Sequence, residues 1–338
     1  MAERDDALRT PIGYRPLHRL GAGRTAIVYL AEHDTFGRVA LKLPRPELSD
    51  RPLLRRMFEN EVMITLRLDH ANVVKALAGH PTGERAFLAL EICPGGTLDQ
   101  LLLERGRLPL AQAVRLVEDV AVGLAYTHDA KVLHRDVKPA NVFLSDAGRA
   151  KLGDFGTGAF MAEESGDRVG TAFYMAPEIF EGAPASVRSD VYSLGVLAFE
   201  VLTGERPFTG ETYDALMHAH MTGLFRDPRS LREGLPSDVA RVVRTALVRL
   251  PERRFDSVAA FLAAWREATP EGREPEGASP ADARAQVGRS SRVRGRDADA
   301  DAGSGDAAGA PSAPKGDDAA TVPWWRRLLG GGSDESSS

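Results

Sequence analysis

The sequence predicts an α+β fold of two unequal lobes, a small β-rich one and a larger, mainly helical one, with a polar tail behind them. Three observations carry this expectation. Short β-type runs crowd residues 14–44 around a glycine turn, a glycine- and proline-containing crossing (93–96) divides the chain, and beyond it apolar residues recur at helical spacing. With 338 residues, 43% of them apolar, the chain has material for a substantial core.

After a short N-terminal extension, residues 1–13, the runs LHRLGAGRTAIVYLAEH and FGRVALKL read as strand, turn, strand and third strand. Between residues 53 and 68, Leu54, Phe58, Val62, Met63 and Leu66 follow a 3.6-residue period without glycine or proline, which predicts a helix. Strands resume over 73–92. Helical periods then run through 98–103, 110–128, 187–202, 237–250 and 257–268, and 131–133 reads as a short strand before a polar loop. The lobes thus divide as about 14–92 and 97–269.

Residues 270–320 consist mainly of Ala, Gly, Asp, Arg, Pro and Ser, with almost no large apolar side chains to offset the entropy of ordering, and predict a disordered linker. In the final segment, 321–338, a helical turn through VPWWRRLL would put Trp324 above Leu328 and Trp325 above Leu329, with Arg326 and Arg327 on the other side. Such a turn is too short to stand alone in water. It implies docking on an anionic membrane surface or in a groove on a partner.

Composition excludes several classes. A net charge of -5, with Lys and Arg dispersed, is no footprint for nucleic acid. Cys93 is the only cysteine, so intramolecular disulfides and cysteine-based zinc sites are ruled out, and a reducing cytoplasm fits. The charged start MAERDDALRT lacks the apolar region of a secretory signal. The longest apolar stretch, 191–202, is broken by Ser193, Gly195 and Glu200 and falls short of the ~20 residues that span a bilayer. No internal repeat is visible.

The chemistry concentrates in five places. GAGRTA (21–26) lies between β-type runs, where missing side chains let backbone amides approach phosphate oxygens; by itself such a turn is equally a plain hairpin. Lys42 lies inside an apolar β-run, where a buried ammonium needs an anionic partner. Glu61 and Glu59 on the following helix both qualify by spacing. HRDVKPAN (134–141) packs an acid, cations and an amide into one loop, and KLGDFG brings Asp154 about a dozen residues later. Two such hard-oxygen ligands suit Mg²⁺ bound together with phosphates.

These motifs, in this order, resemble the protein-kinase signature set, and the likeness continues through GTAFYMAPE (170–178), SDVYSLG (189–195) and PERRF (251–255). The segment 14–269 is similar to the eukaryotic-like Ser/Thr kinases of bacteria, which implies the two-lobed kinase fold with ATP between the lobes. By that resemblance Asp136 would accept the proton of a substrate hydroxyl and Lys138 would stabilise the transferring phosphoryl group. Asn141 and Asp154 would hold Mg²⁺ (or Mn²⁺), and Lys42, fixed by Glu61, would pair the α- and β-phosphates. Leu20, Gly21, Ala22 and Gly23 would cover the nucleotide, Val28, Ala40 and Phe143 would enclose adenine, Leu90 would be the gatekeeper, and Glu91 and Cys93 would offer backbone hydrogen bonds.

Asp190 would anchor the catalytic loop, and Glu178 would form a buried ion pair with Arg254. The resemblance also implies protein substrates with Ser or Thr hydroxyls, a role in signal transduction, and autophosphorylation, for which self-association is one route; Thr157, Ser165 and Thr171 are the candidate hydroxyls. Lys138 and Thr171 follow the Ser/Thr rather than the tyrosine branch. One departure is Ala26 at the third glycine position, which places a methyl near the phosphates. The alternatives from other classes are a pseudokinase scaffold that binds ATP, a small-molecule phosphotransferase and a transmembrane receptor kinase; Lys42, Asp136 and Asp154 together count against the first.

Overall fold

The structure, a computed structural model, describes residues 10–155, 170 and 172–269. The chain divides into a unit of residues 1–273 and a second of 274–338. The expected linker, the Trp/Arg segment and the hydroxyls of Thr157, Ser165 and Thr171 lie outside the described residues.

Strands β1 (Tyr14–Ala22), β2 (Ala26–His33) and β3 (Gly37–Pro44) form a meander, which helix α1 (Pro52–Thr65), β4 (Ala76–His80) and β5 (Phe87–Leu90) follow. The antiparallel sheet runs β1-β2-β3-β5-β4. Alternation along the strands divides its side chains between two faces. Tyr29, Val39, Leu41 and Ala89 pack on one; Ala26 and Leu88 pack on the other with Met57, Phe58 and Val62 of α1. α1 starts with Pro52 at its first position, where a missing N–H costs nothing.

Beyond the crossing come α2 (Leu98–Arg105), α3 (Leu110–Asp129), a ribbon of β6 (Val142–Leu144) and β7 (Ala150–Leu152), then α4 (Pro177–Phe180) and α5 (Val187–Thr203). α6 (Tyr213–Thr222), α7 (Pro228–Leu231), α8 (Ser237–Ala246) and α9 (Val258–Ala268) complete the larger lobe. Its core gathers α3, α5, α8 and α9 around Tyr192, Phe199, Phe261 and Trp265. α5 is buried almost all round, as expected of a helix whose apolar residues occupy every face. A Cβ on Gly195 would stand 2.7 Å from that of Ala246, so this glycine lets α5 and α8 touch.

Two expectations are corrected, and one helix was not expected. Residues 131–133 form no strand: Lys131 has φ 64°, Val132 N–H donates to Thr127 O at 2.8 Å, and the amides of His134 and Arg135 that follow bond to a side chain instead of a neighbouring strand. The helix expected over 237–250 ends at Ala246. α6 was missed because only Leu216 and His220 of its ten residues are buried, too few for a period; its termini were legible, with Thr212 capping Ala215 N–H at 3.1 Å and Gly223 at φ 65°. Among the described residues no helix is long and apolar enough to cross a membrane.

His220 packs on Phe208 with ring centroids 4.4 Å apart and shares a 2.7 Å hydrogen bond with Tyr192 Oη. Burial pulls its pKa from 6.5 down to about 4, against a weaker opposing pull from the Phe173 carbonyl. The folded value lies below the unfolded one, so unfolding takes up a proton. Stability is full above pH ~6.5 and falls toward pH ~4, by a few kcal/mol at most. Denaturant midpoints measured from pH 7 to pH 4 are expected to drop more steeply for the wild type than for His220→Gln; equal slopes would remove His220 from the account.

Candidate active site

The glycine turn joins β1 to β2, with Gly21 opposite Val28, a bulge at Leu20, and Gly23 N–H donating to Ala26 O at 2.8 Å. A Cβ on Gly21 would meet nothing within 4 Å and one on Gly23 only Ala26 O at 3.8 Å, and neither glycine has positive φ. Neither packing inside the protein nor backbone conformation therefore demands glycine here. The turn is open enough for something from outside to approach its backbone closely. Ala26, 1% exposed, belongs to the core beside α1, so its methyl serves packing and does not stand over the open turn as expected.

Register sets the next feature. Val28 pairs with Lys42 and Ala40 with Leu90, so Val28, Ala40, Lys42 and Leu90 share the sheet face on which α1 packs. Lys42 Nζ bonds Glu61 Oε1 and, at 2.8 Å, Asp154 Oδ1. This resolves the choice left open by spacing: Glu61 is buried, whereas Glu59 lies 3.8 Å from Arg55 on α1. Burial alone would lower the Lys42 pKa, but the carboxylates of Asp154 and Glu61 outweigh it and hold the ammonium above the ordinary lysine value. Burial likewise opposes ionisation of Asp154, and Lys42 overcomes it, leaving that carboxyl below its usual range.

The loop after α3 is held from beneath by α5. Asp190, 1% exposed, accepts the N–H groups of His134 (2.9 Å) and Arg135 (2.8 Å) and lies 2.8 Å from His128 Nε2. These bonds replace the strand ladder that 131–133 lacks and hold Arg135 at φ 67°. Burial lowers the His134 pKa and keeps the ring neutral. Its network assigns the tautomer: Nδ1 accepts Asp136 N–H at 3.3 Å, and Nε2 donates to Gly153 O at 2.9 Å. Phe155, fully buried, meets the same ring edge-on at 4.9 Å.

Asp136 Oδ2 accepts Asn141 Nδ2–H at 2.9 Å and pairs with Lys138 Nζ at 2.8 Å, while Oδ1 is buried with no hydrogen-bond partner among the described residues. A buried acceptor left unpaired is costly, and a hydroxyl donor would relieve it. Asn141 uses its Nδ2 on Asp136, and Asp154 uses Oδ1 on Lys42; Asn141 Oδ1 and Asp154 Oδ2 have no partner among the described residues. Asp154 stands at φ 62°, next to Gly153, where a Cβ would come within 2.9 Å of Phe143. Among the described residues no group of three or more His, Cys, Asp and Glu is placed to hold a metal by itself. Two free hard oxygens instead fit a Mg²⁺ that takes its other ligands from phosphates and water.

At the crossing, Glu91 N–H donates to Lys75 O (3.0 Å), and its carboxylate accepts Lys75 N–H and Lys151 Nζ, both at 2.7 Å. The Glu91 carbonyl and the Cys93 N–H have no partner among the described residues. Burial pushes the Cys93 thiol up to about 12. Iodoacetamide at pH 8 is therefore expected to leave native Cys93 unmodified and to label it only after unfolding; rapid labelling of folded chain would contradict this burial.

Sequence reasoning missed several supports. Asp119 of α3 holds Arg149 and the Ala150 N–H (3.0 Å), tying the helix to β7; a charge inside the apolar stripe of Leu116, Val117 and Val120 was the available signal. His128 gave none, since its partner Asp190 lies 62 residues away. Glu200 joins Tyr174 Oη to Arg206, whose guanidinium covers the Phe173 ring at 4.1 Å.

Comparison with known proteins identifies the family. Residues 14–265 match the protein kinase domain family. The chain is 35% identical over 285 residues to serine/threonine-protein kinase PknL of Mycobacterium tuberculosis, covering 81% of this chain and 71% of that protein. It is 34% identical over 256 residues to serine/threonine-protein kinase PknB of the same species, and 33% over 257 to PknB of Mycobacterium leprae, each covering 72% of this chain and 41% of the relative.

Proposed function

Because this chain belongs to the protein kinase family and transfers the γ-phosphate of ATP to serine and threonine hydroxyls of proteins, we propose the following division of labour among its residues. The observation that carries it is the buried Asp136 carboxylate, whose Oδ1 has no donor among the described residues while Oδ2 is held by Asn141 and Lys138. A substrate hydroxyl donates to Oδ1. As its oxygen bonds to the γ-phosphorus and the bond to the ADP oxygen breaks, the proton passes to Asp136. Lys138 stabilises the charge on the transferring group.

Lys42, held between Glu61 and Asp154, pairs the α- and β-phosphates, and its two carboxylates keep it charged and fixed. Gly21 and Gly23 admit the phosphates beneath the turn, with Leu20 and Ala22 beside them; Val28, Ala40 and Phe143 enclose adenine, with Leu90 as the gatekeeper, and the base bonds the Glu91 and Cys93 backbone. Asn141 and Asp154 hold Mg²⁺ or Mn²⁺, which neutralises phosphate charge when bound. The filled positions Lys42, Asp136 and Asp154 leave nothing that favours a pseudokinase.

We further propose autophosphorylation on Thr157, Ser165 or Thr171, aided by self-association, with Arg135 as the counter-charge, and a role in signal transduction. The single cysteine supports the cytoplasm as its place, and the Trp324–Trp325 segment supports docking on a membrane surface or partner. Transfer of label from Mg-ATP to the chain itself and to a generic basic protein tests the reading. Label on serine or threonine is expected, and its absence from a chain that binds ATP would favour a scaffold.

A further inference from the structure

We propose that Arg45 is a strut for the glycine turn, a positioning residue that sets how closely residues 21–26 cover the phosphates of ATP; the inference rests on the nucleotide reading above. Thr25 and Ala26 anchor one end of the turn by burial, but its tip, Gly21 to Gly23, has no buried side chain, so bonds to the backbone are what can fix the tip. Arg45 does this twice. Its N–H donates to Thr25 O at 3.0 Å and its Nε–H donates to Gly23 O at 2.7 Å, while Gly23 N–H closes the turn on Ala26 O at 2.8 Å. Nε belongs to a guanidinium, so that bond is charge-assisted and stronger than one between neutral groups.

The attachment point gives the strut its meaning. Arg45 directly follows β3, the strand that carries Lys42, so one short stretch of chain holds both the phosphate-pairing ammonium and the roof over the phosphates. A turn fixed before the nucleotide arrives loses less conformational freedom when it closes. The benefit falls on the phosphates alone, because the base edge is met at Glu91 and Cys93, on another part of the chain.

The test compares nucleotides that differ only in phosphate. In the full chain, Arg45→Ala and Arg45→Met, the latter keeping the packing of the side-chain stem, are expected to weaken Mg-ATP and ADP about tenfold while leaving adenosine within about twofold. The KM for ATP rises in step, the KM for the protein substrate stays, and amide exchange of residues 21–26 in the nucleotide-free chain accelerates without change elsewhere. Arg45→Lys, which retains a charged donor, recovers part of the loss. Equal losses for ATP and adenosine, or ATP affinity unchanged in both donor-free variants, would overturn the strut. A wild-type chain that binds adenosine but gains nothing from phosphates would overturn instead the reading of the turn on which the strut depends.

Discussion

Asp136→Asn is expected to lower the rate of phosphoryl transfer about 10²–10⁴-fold while ATP binding stays within about twofold of wild type. The substitution keeps the shape of the side chain and removes its charge and its capacity to take a proton. Lys138 then loses its 2.8 Å partner, and the buried Oδ1, free to accept a hydroxyl in the wild type, becomes part of an amide. The nucleotide contacts proposed for Lys42 and the crossing are untouched, so the loss belongs in kcat and not in the KM for ATP. Steady-state transfer from labelled Mg-ATP, with ATP affinity measured alongside by calorimetry, separates the two. A variant with a tenth or more of wild-type kcat would mean that the hydroxyl proton leaves by another route.

The largest loss of stability is expected at Arg254. Its side chain is fully buried and forms a fork on Glu178, with both N–O distances 2.7 Å. It also donates to the carbonyls of Val248 (2.6 Å), Arg249 (2.7 Å) and Arg188 (3.0 Å) and lies 4.7 Å from the centre of the Tyr192 ring. Arg254→Ala leaves the Glu178 carboxylate, 13% exposed, without its counter-ion, and strips three carbonyls of their donor. Breaking a buried pair by removing one partner costs roughly 3–5 kcal/mol. Urea unfolding is expected to show a loss of that size, and the double variant Arg254→Met/Glu178→Leu to recover a substantial part of it, since no uncompensated charge remains. A loss below about 1 kcal/mol for Arg254→Ala would place the pair among those that water screens.

Arg254 and Glu178 also mark how far a sequence reaches by itself. Their pairing was legible only through family resemblance, because the partners lie 76 residues apart and nothing in their local patterns joins them. Unaided physical reading reached what local chemistry encodes. Period-2 and 3.6-residue patterns locate the sheet, α1, α3, α5 and α9, the glycine turn marks a place for close approach, and the polar loop at 134–141 and Asp154 mark where chemistry gathers. In each case the signal lies within a few residues, where sterics and burial act directly on neighbours.

What the tertiary structure decided is partnership. Both Glu59 and Glu61 satisfy the spacing of α1, and only packing against the sheet buries Glu61 beside Lys42, 19 residues away, and brings Asp154 to it from 112 residues away. Asp190 takes the place of a strand partner beneath His134 and Arg135, which is why the short run 131–133 is not β despite its apolar residues. Arg45 meets Gly23 only because the β2–β3 register returns the chain beside the turn. The physical reason is common to all of these. A hydrophobic period specifies which face of an element is buried, but the hydrogen bonds and charges on that face find their partners only when strand register and helix packing bring distant segments within about 3 Å.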